Sequence, residues 1–473
     1  MARERYDAVV VGSGPNGMAA AIALARAGRS VLVLEANATL GGGARSAELT
    51  LPGFVHDICS AIHPLGAASP FFKTLPLDKH GLEWIDPLAP LAHPFDDGTA
   101  AILERDLEAT AASLGRDGDA YRQLFGSLVR HADDLFTDAL APLKIPRHPL
   151  LLSRFGLRAI QSARGLAERW FNSEKAKGLF AGCAAHAIIP FERPLSAAVG
   201  LMLMIAGHSA GWPLPRGGSQ TITDALASYF RSLGGEFEVE RRVRSFTDLP
   251  QARSVLFDVS PRNLEAICGD RLPPRYRRQL LRFRHGPAVF KIDYALDGPI
   301  PWKAAECRRA GTVHLGGTLE EMAEAERAIW EGRHPERPYV LIAQQSLFDS
   351  MRAPAGKHTC WAYCHVPQGS TIDMTSAIED QLERFAPGFR DLALAKHITT
   401  PADFERGNAN YIGGDISGGV LDLWQTFTRP VIRVNPYTTP NRSIYICSAS
   451  TPPGAGVHGM CGYWAAQAAL RRM

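Results

Sequence analysis

The sequence predicts an α/β fold in which a discontinuous domain of the Rossmann type carries an inserted, mixed α+β domain. Three observations lead there. Within its first 35 residues the chain opens with a β-rich run, a glycine turn, a helical stretch and a second β-rich run. Strand and helix alternate in the same way again near Gly217 and at the C-terminal end. Between those stretches, residues 105–210 are rich in Leu, Ala, Arg and Glu at helical spacing, and strand-rich runs follow residue 286.

The opening elements read in order as strand 6–11 (YDAVVV), helix 15–28 closed by Gly28, and strand 31–35 (VLVLE). The second strand is apolar throughout, as a parallel strand buried on both faces requires. This is a βαβ unit. Further on, GGSQTITDALASYFRSLGG predicts a helix, EFEVERRVRSF one or two strands and SVLFDVSP another strand. GPAVFKIDYAL, PYVLIAQQSLF and KHTCWAYCHV predict strands of the inserted domain, and RSIYICSAS a last strand before a glycine turn and a final helix. The domain plan that follows assigns 1–75, 214–262 and 405–473 to the Rossmann-type domain. It assigns 76–213 (mostly helical) and 263–404 (strand-rich) to the substrate domain.

A chain of 473 residues is too long for one simple core. Its 46% hydrophobic and 21% charged residues are ordinary for a globular protein. The net charge of +3, from 51 Lys and Arg against 48 Asp and Glu, excludes an electrostatically driven nucleic-acid partner. The eight cysteines form no C-x-x-C pair, and Cys360 and Cys364 share a strand face without further ligands, so no metal site is expected. Scattered thiols suit a reduced, cytoplasmic protein. The N-terminal apolar stretch is no signal peptide, because Glu4 and Asp7 interrupt its basic region and glycines split it. Residues 196–207 (SAAVGLMLMIAG) are too short to span a bilayer, which takes ~20 residues.

The chemistry begins at Gly12-Ser13-Gly14-Pro15-Asn16-Gly17. Gly12 permits a tight turn, Gly14 lets backbone approach a pyrophosphate, and Gly17 allows close helix–sheet packing. The helix that starts near Pro15 presents free N–H groups to phosphates. Glu35, eighteen residues after Gly17, ends the next strand and is placed to accept ribose hydroxyls. A second glycine turn, Gly41-Gly42-Gly43-Ala44-Arg45-Ser46, suits a larger pyrophosphate cradle, with Arg45 toward a phosphate or a flavin. Gly454-Ala455-Gly456-Val457-His458-Gly459 repeats the glycine spacing, but only fourteen residues follow it. It therefore serves the first site, as a helix N-terminus facing a flavin ring.

The run from Ala8 to Glu35 with its E-x5-GG continuation and Arg45-Ser46 resembles the FAD-binding N-terminus of phytoene desaturases and flavin amine oxidases. YICSASTPPGAGVHGMCGYWAA and PRGGSQTITDALASYFRSLGG resemble the flavin-contacting and central Gly-Gly segments of phytoene desaturase-like proteins. The resemblance is strong at both ends and weak over residues 76–213. It implies bound FAD, redox chemistry on an apolar substrate, and in some members a peripheral membrane habit. One departure bears on substrate: Ser448-Ala449-Ser450-Thr451-Pro452-Pro453 stands where Gly-x-Gly-Thr-His-Pro is expected, which puts a carotenoid in doubt and leaves the FAD site intact. The expected cofactor-binding residues are Gly12, Gly14, Pro15, Asn16, Gly17, Glu35, Ala36, Gly42, Gly43, Ala44, Arg45, Val243, Ser450, Gly456, Val457 and His458.

No nucleophile elbow, metal cluster or paired catalytic carboxylate appears, so the cofactor is expected to carry the chemistry. The expected function is an FAD-dependent oxidoreductase, dehydrogenase- or desaturase-like, moving a hydride from a small apolar substrate to the flavin. The alternatives are a flavin amine oxidase, a redox-neutral isomerase using reduced FAD, and a flavin-holding protein without turnover. His458 is the first candidate for a catalytic side chain. His56, Asp57 and His63 follow the cradle, His208 and Trp212 precede the Gly217-Gly218 turn, and Tyr411 and Trp424 flank glycine-rich turns. Residues 150–171 are amphipathic, with Leu152, Phe155, Ala159, Ala163, Leu166 and Trp170 on one stripe and arginines off it. The stripe packs on its own domain or rests on an anionic membrane.

Overall fold

The run Arg5–Val11 alternates its side chains between two apolar layers, and that alternation places it at the centre of a sheet. In a computed structural model, which describes residues 5–473, Ala8 and Val10 join one core while Val9 and Val11 join another. The sheet has five strands, all parallel, in the order Ile444–Ile446, Gln251–Phe257, Arg5–Val11, Val31–Leu34, Glu236–Glu238. On one face pack the helices Pro15–Arg26, Gln220–Ser232 and Met460–Leu470; on the other packs Pro261–Cys268. Both faces are covered, as a parallel sheet demands.

EFEVERRVRSF supplies one strand only, Glu236–Glu238. After it the chain turns away from the sheet, held by Glu240 N–H to Asn37 O (3.0 Å) and Arg241 N–H to Glu35 O (2.8 Å).

The second sheet has seven strands, in the order Ala393–Thr399, Ala288–Leu296, His358–Val366, Val340–Ala343, Ala310–Leu315, Ala89–Pro94, Ala100–Leu103. Every pairing is antiparallel except that of Ala310–Leu315 with Ala89–Pro94. Period-two alternation makes its faces unlike. Phe290, Ile292, Val313, Cys360, Ala362 and Cys364 lie in an aliphatic layer under the helix Thr375–Phe385. Lys291, Asp293, Thr312, His314, Trp361, Tyr363 and His365 alternate with them and so lie on the other face. That face turns toward the Rossmann-type sheet.

Residues 105–210 contribute no strand to either sheet, and their long elements are helices, among them Gly118–Arg130, Glu174–Ala184 and Ala197–Ser209. The preceding hairpin Ala89–Leu103 was not expected as strand. Its signal was Asp97-Gly98, with Gly98 at φ +80° closing the turn. All eight cysteines are buried free thiols, and no group of three or more metal-ligating side chains occurs among the described residues. No helix there is long and apolar enough to cross a membrane.

Candidate functional site

A cleft of about 620 Å³ runs between the two sheets, and its first wall is built by glycine. Gly12, at φ +102°, turns the chain out of its strand, and a Cβ there would come within 2.9 Å of the Asp258 carbonyl oxygen. A Cβ on Gly17 would overlap Gly12 O, so the first helix sits directly on the turn. Gly14 is the N-cap of that helix and Pro15 its first residue, and the N-cap itself has no side chain to close the end. The buried Asn16 Oδ1, also on the cleft wall, has no partner. Open N–H groups beside a glycine turn are what a pyrophosphate takes up.

Glu35 stands at the end of the neighbouring strand, 6% exposed. It accepts Ser13 N–H (3.0 Å) and Ser13 Oγ (2.6 Å) on one oxygen, and Asn37 N–H (2.9 Å) on the other. The second glycine turn meets the first, since a Cβ on Gly42 would lie 3.0 Å from Gly14 Cα. Helix Gln220–Ser232 braces this cradle through Thr223 Oγ1 to Ala44 O (3.0 Å) and Gln220 Nε2 to Leu40 O (3.2 Å).

The C-terminal segment closes the cleft from the other side. Ser450, Gly456 and Val457 line it, and so do Ala36, Gly43, Ala44 and Val243. Helix Met460–Leu470 packs along the first helix, which brings the two ends of the chain together.

Three expected residues take other places. Gly17 lies under the turn in the packing role just described. Arg45 does not face the cleft; its Nε donates to Gly42 O (2.8 Å) and its Nη2 to Gly407 O (3.2 Å), so it ties the cradle to a distant loop. His458 is 1% exposed and turned into its own loop. Its Nδ1 accepts Met460 N–H (3.0 Å), which makes Nε2 the donor to Ala455 O (3.2 Å). Burial pushes its pKa down to about 4. The part of this segment that lines the cleft is the loop 455–457 rather than the helix end.

The remaining candidates separate by the same criterion. His63, Trp212 and Tyr411 line the cleft. The Ser219 hydroxyl donates to Ser60 O (2.6 Å), so it accepts from His63 Nε2 (2.8 Å) and leaves His63 Nδ1 as a buried, unpartnered lone pair. His56 hydrogen-bonds Thr50 Oγ1 (2.8 Å), and His208 hydrogen-bonds the Tyr121 hydroxyl (2.7 Å); neither is on the wall. Asp57 is buried against Arg352 and also accepts from Ser46, Ser219 and Gln345. Burial works against its charge, yet Arg352 and these donors hold its pKa below the usual range. Trp424 is 67% exposed.

The far end of the cleft is walled by the second sheet. Trp361 and Tyr363 meet edge to face at 5.0 Å, Trp212 Nε1 donates to Thr312 Oγ1 (2.9 Å), and Ile188, Leu203 and Leu341 complete the wall. His186 also faces this space, with Nε2 3.1 Å from His314 Nε2. Burial pushes the pKa of His186 down to about 3 and that of His314 well below the usual value, so both are neutral and one donates to the other. Behind Trp361, 5.9 Å from its ring centre, the buried Lys291 ammonium pairs with Asp293.

Asp258, His186, His285 and the arginines 241, 242 and 244 line the cleft and were not singled out from sequence. Asp258 ends the strand Gln251–Phe257 and accepts Gly17 N–H (2.9 Å). Burial, with Glu35 nearby, raises its pKa to about 7. A polar residue directly after SVLF was a usable signal, because loops at the carboxyl ends of parallel strands face the ligand crevice. His186 had none.

Residues 10–75 match the family described as NAD(P)-binding Rossmann-like domain. The chain is 26% identical to pyridine nucleotide-disulfide oxidoreductase domain-containing protein 2 of Rattus norvegicus, over 99% of this chain and 94% of that one. It is 26% identical to the phytoene dehydrogenase of Streptomyces griseus, over 82% of this chain and 77% of that one. Among solved structures, putrescine oxidase bound to putrescine shares the fold, with a TM-score of 0.63 at 18% identity over 99% of each chain.

Proposed function

We infer that this chain, an FAD-dependent oxidoreductase of the phytoene desaturase-like and flavin amine oxidase superfamily, dehydrogenates an apolar organic substrate held at the far end of its cleft. The observation that carries the reading is the continuity of one cleft from the glycine cradle to a wall of Trp212, Leu203, Leu341, Trp361 and Tyr363. Among the described residues no carboxylate or basic side chain other than neutral imidazole stands on that wall, so an anionic substrate would be desolvated there without compensation.

The protein's residues fit FAD. Gly12, Gly14 and Gly42 leave room for a pyrophosphate beside the start of the first helix, and Glu35 stands where ribose hydroxyls would compete for its oxygens. Bound there, FAD supplies the two-electron acceptor for a substrate C–H bond. The chain's own part is to orient the substrate. The aromatic pair and the aliphatic wall hold the substrate and keep water out. His186, neutral and paired through Nε2 with His314 Nε2, adds one uncharged polar group to that wall.

A second reading, oxidation of an amine, is favoured by the same Trp361–Tyr363 pair, whose ring faces attract a cation. Anaerobic mixing of the yellow protein with a panel of terpenoids, long-chain lipids and amines tests both. Bleaching of the flavin by an uncharged apolar compound is the expected result. Bleaching by amines alone would replace the first reading with the second. A flavin that dithionite reduces but no panel member does would count against turnover.

A further inference from the structure

His186 stands in the turn Ala185–Ala187, which follows the helix Glu174–Ala184. The turn closes on Ile188 in left-handed backbone, at φ +51° and ψ +42°. A β-branched residue rarely adopts that conformation. Trp330 Nε1 holds it there by donating to Ile188 O (3.0 Å). Backbone strain of this kind collects where a side chain must be aimed, and here both His186 and Ile188 line the cleft.

The surroundings of the imidazole pair fix which ring donates. His314 is fully buried and its Nδ1 has no partner. A Cβ on Gly182 would come within 2.6 Å of that nitrogen, so the helix backbone lies directly against it. A buried N–H without an acceptor is disfavoured, and an idle lone pair is tolerated better. His314 therefore carries its proton on Nε2 and donates it to His186 Nε2 (3.1 Å). His186, neutral and with Nε2 accepting, keeps its own proton on Nδ1. The ring is only half-buried, and among the described residues nothing accepts from this Nδ1–H. A single uncharged donor is thus left on an otherwise apolar wall.

We propose that the apolar substrate carries a neutral carbonyl oxygen, which accepts a hydrogen bond from His186 Nδ1–H. This rests on the reading of the cleft as the site of an apolar substrate, and it names the polar group of that substrate. A plain hydrocarbon would leave the donor without a partner. A carboxylate would find no charge to offset its own. An ammonium offers only donors, and a hydroxyl brings a further proton to satisfy, whereas a carbonyl needs one donor and brings none. His314 lies opposite Leu341 in the sheet, and Leu341 opposite Tyr363. Neighbouring strands are ~4.8 Å apart. With its oxygen at His186, the substrate's carbon frame runs over Leu341 toward Tyr363, about 10 Å away.

Titration of the FAD-bound protein with 2-undecanone, undecane and undecylamine, followed by the change in flavin absorbance, tests this. His186→Phe should weaken binding of the ketone about tenfold and leave the alkane and the amine no weaker. His186→Gln, whose amide keeps an N–H, should recover part of the loss. In the infrared, the carbonyl stretch of the bound ketone should move to lower wavenumber in the wild type and not in His186→Phe, which a purely structural role of the ring would not produce. If His186→Phe fails to hold FAD, the wild-type stretch decides. The inference is overturned, with the apolar reading of the cleft intact, if His186→Phe weakens ketone and alkane equally or neither, or if the bound carbonyl stretch is unshifted. A larger loss for the amine than for the ketone overturns it in favour of amine oxidation. If none of the three compounds perturbs the flavin, the reading of the cleft fails and the inference with it.

Discussion

Gly462, in the last helix, lies against Asn16, in the first, so closely that a Cβ on Gly462 would overlap the Asn16 carbonyl oxygen. The contact joins residues 446 positions apart; Asn16 lines the cleft, and so does the loop 455–457 that leads into the last helix. Gly462→Ala gains helix propensity of about 1 kcal/mol but forces the helices apart, and overpacking typically costs about 1–3 kcal/mol. Lower melting temperature and less FAD retained through gel filtration are expected. Gly126, mid-helix with open space around it, is the control. Gly126→Ala should stabilise by about 0.5–1 kcal/mol and leave FAD content alone.

The buried Asp57–Arg352 pair joins the strand Val55–Asp57 to the turn at Ser350–Arg352. Removing one partner strands a charge in the interior. Asp57→Asn should therefore cost about 3–5 kcal/mol in urea unfolding. Asp57→Leu combined with Arg352→Met should recover part of that loss. Recovery stays incomplete because Asp57 also accepts Ser219 N–H (2.8 Å) and Ser46 Oγ (2.7 Å). A double variant whose loss equals the sum of the two single losses would mean the charges contribute nothing to each other.

Asp258 shares Gly17 N–H with the phosphate cradle, and its pKa rises from the ordinary 3.8 to about 7. The folded protein thus keeps a proton that the unfolded chain releases. The corresponding stability is full below pH 3.8 and is lost as pH rises through about 7. Above that point a carboxylate would also face the pyrophosphate, so FAD should dissociate faster. In the folded protein His63, His186 and His458, pushed down from 6.5 to about 4, 3 and 4, stay neutral across the neutral range in which FAD loss is followed, and their own effect on stability falls below it. Asp293, raised to about 6, does titrate close to that range. Asp258→Asn separates the two: FAD fluorescence measured across the neutral range should lose its pH dependence in this variant. If the dependence survives intact, Asp258 is not its source.

Much of the dinucleotide half was legible because its signals are local. Gly12, Gly14, Glu35 and Gly42 reach the cleft wall through their own backbone or strand end, so spacing alone was enough to expect them there. The errors came where a side chain could point two ways. Arg45 follows a glycine cradle and has the charge for a phosphate, yet its guanidinium is spent on Gly42 O and Gly407 O, and residue 407 is far away in sequence. In residues 150–171 the periodicity found the packed stripe correctly, while the exposed Ile145 and Leu150 lie at or beyond its edge. His186 is set by a tertiary partner, His314, 128 residues on, and no local pattern announces it.

His458 was the first candidate for catalysis, and its geometry assigns it a different task. One ring nitrogen accepts from Met460 N–H at the start of the last helix, and the other donates to Ala455 O. The ring is a clasp across the loop whose residues 455–457 line the cleft. Losing a buried hydrogen bond while its partner stays unsatisfied costs about 1–3 kcal/mol. His458→Ala should therefore lower the melting temperature and speed FAD loss. His458→Asn should rescue part of this, because an Asn side-chain oxygen can accept the N–H two residues on. Neither change should alter the rate at which dithionite reduces FAD that remains bound. Unchanged stability and FAD retention in His458→Ala, together with lost bleaching by an active panel compound, would falsify the clasp and return His458 to the chemistry.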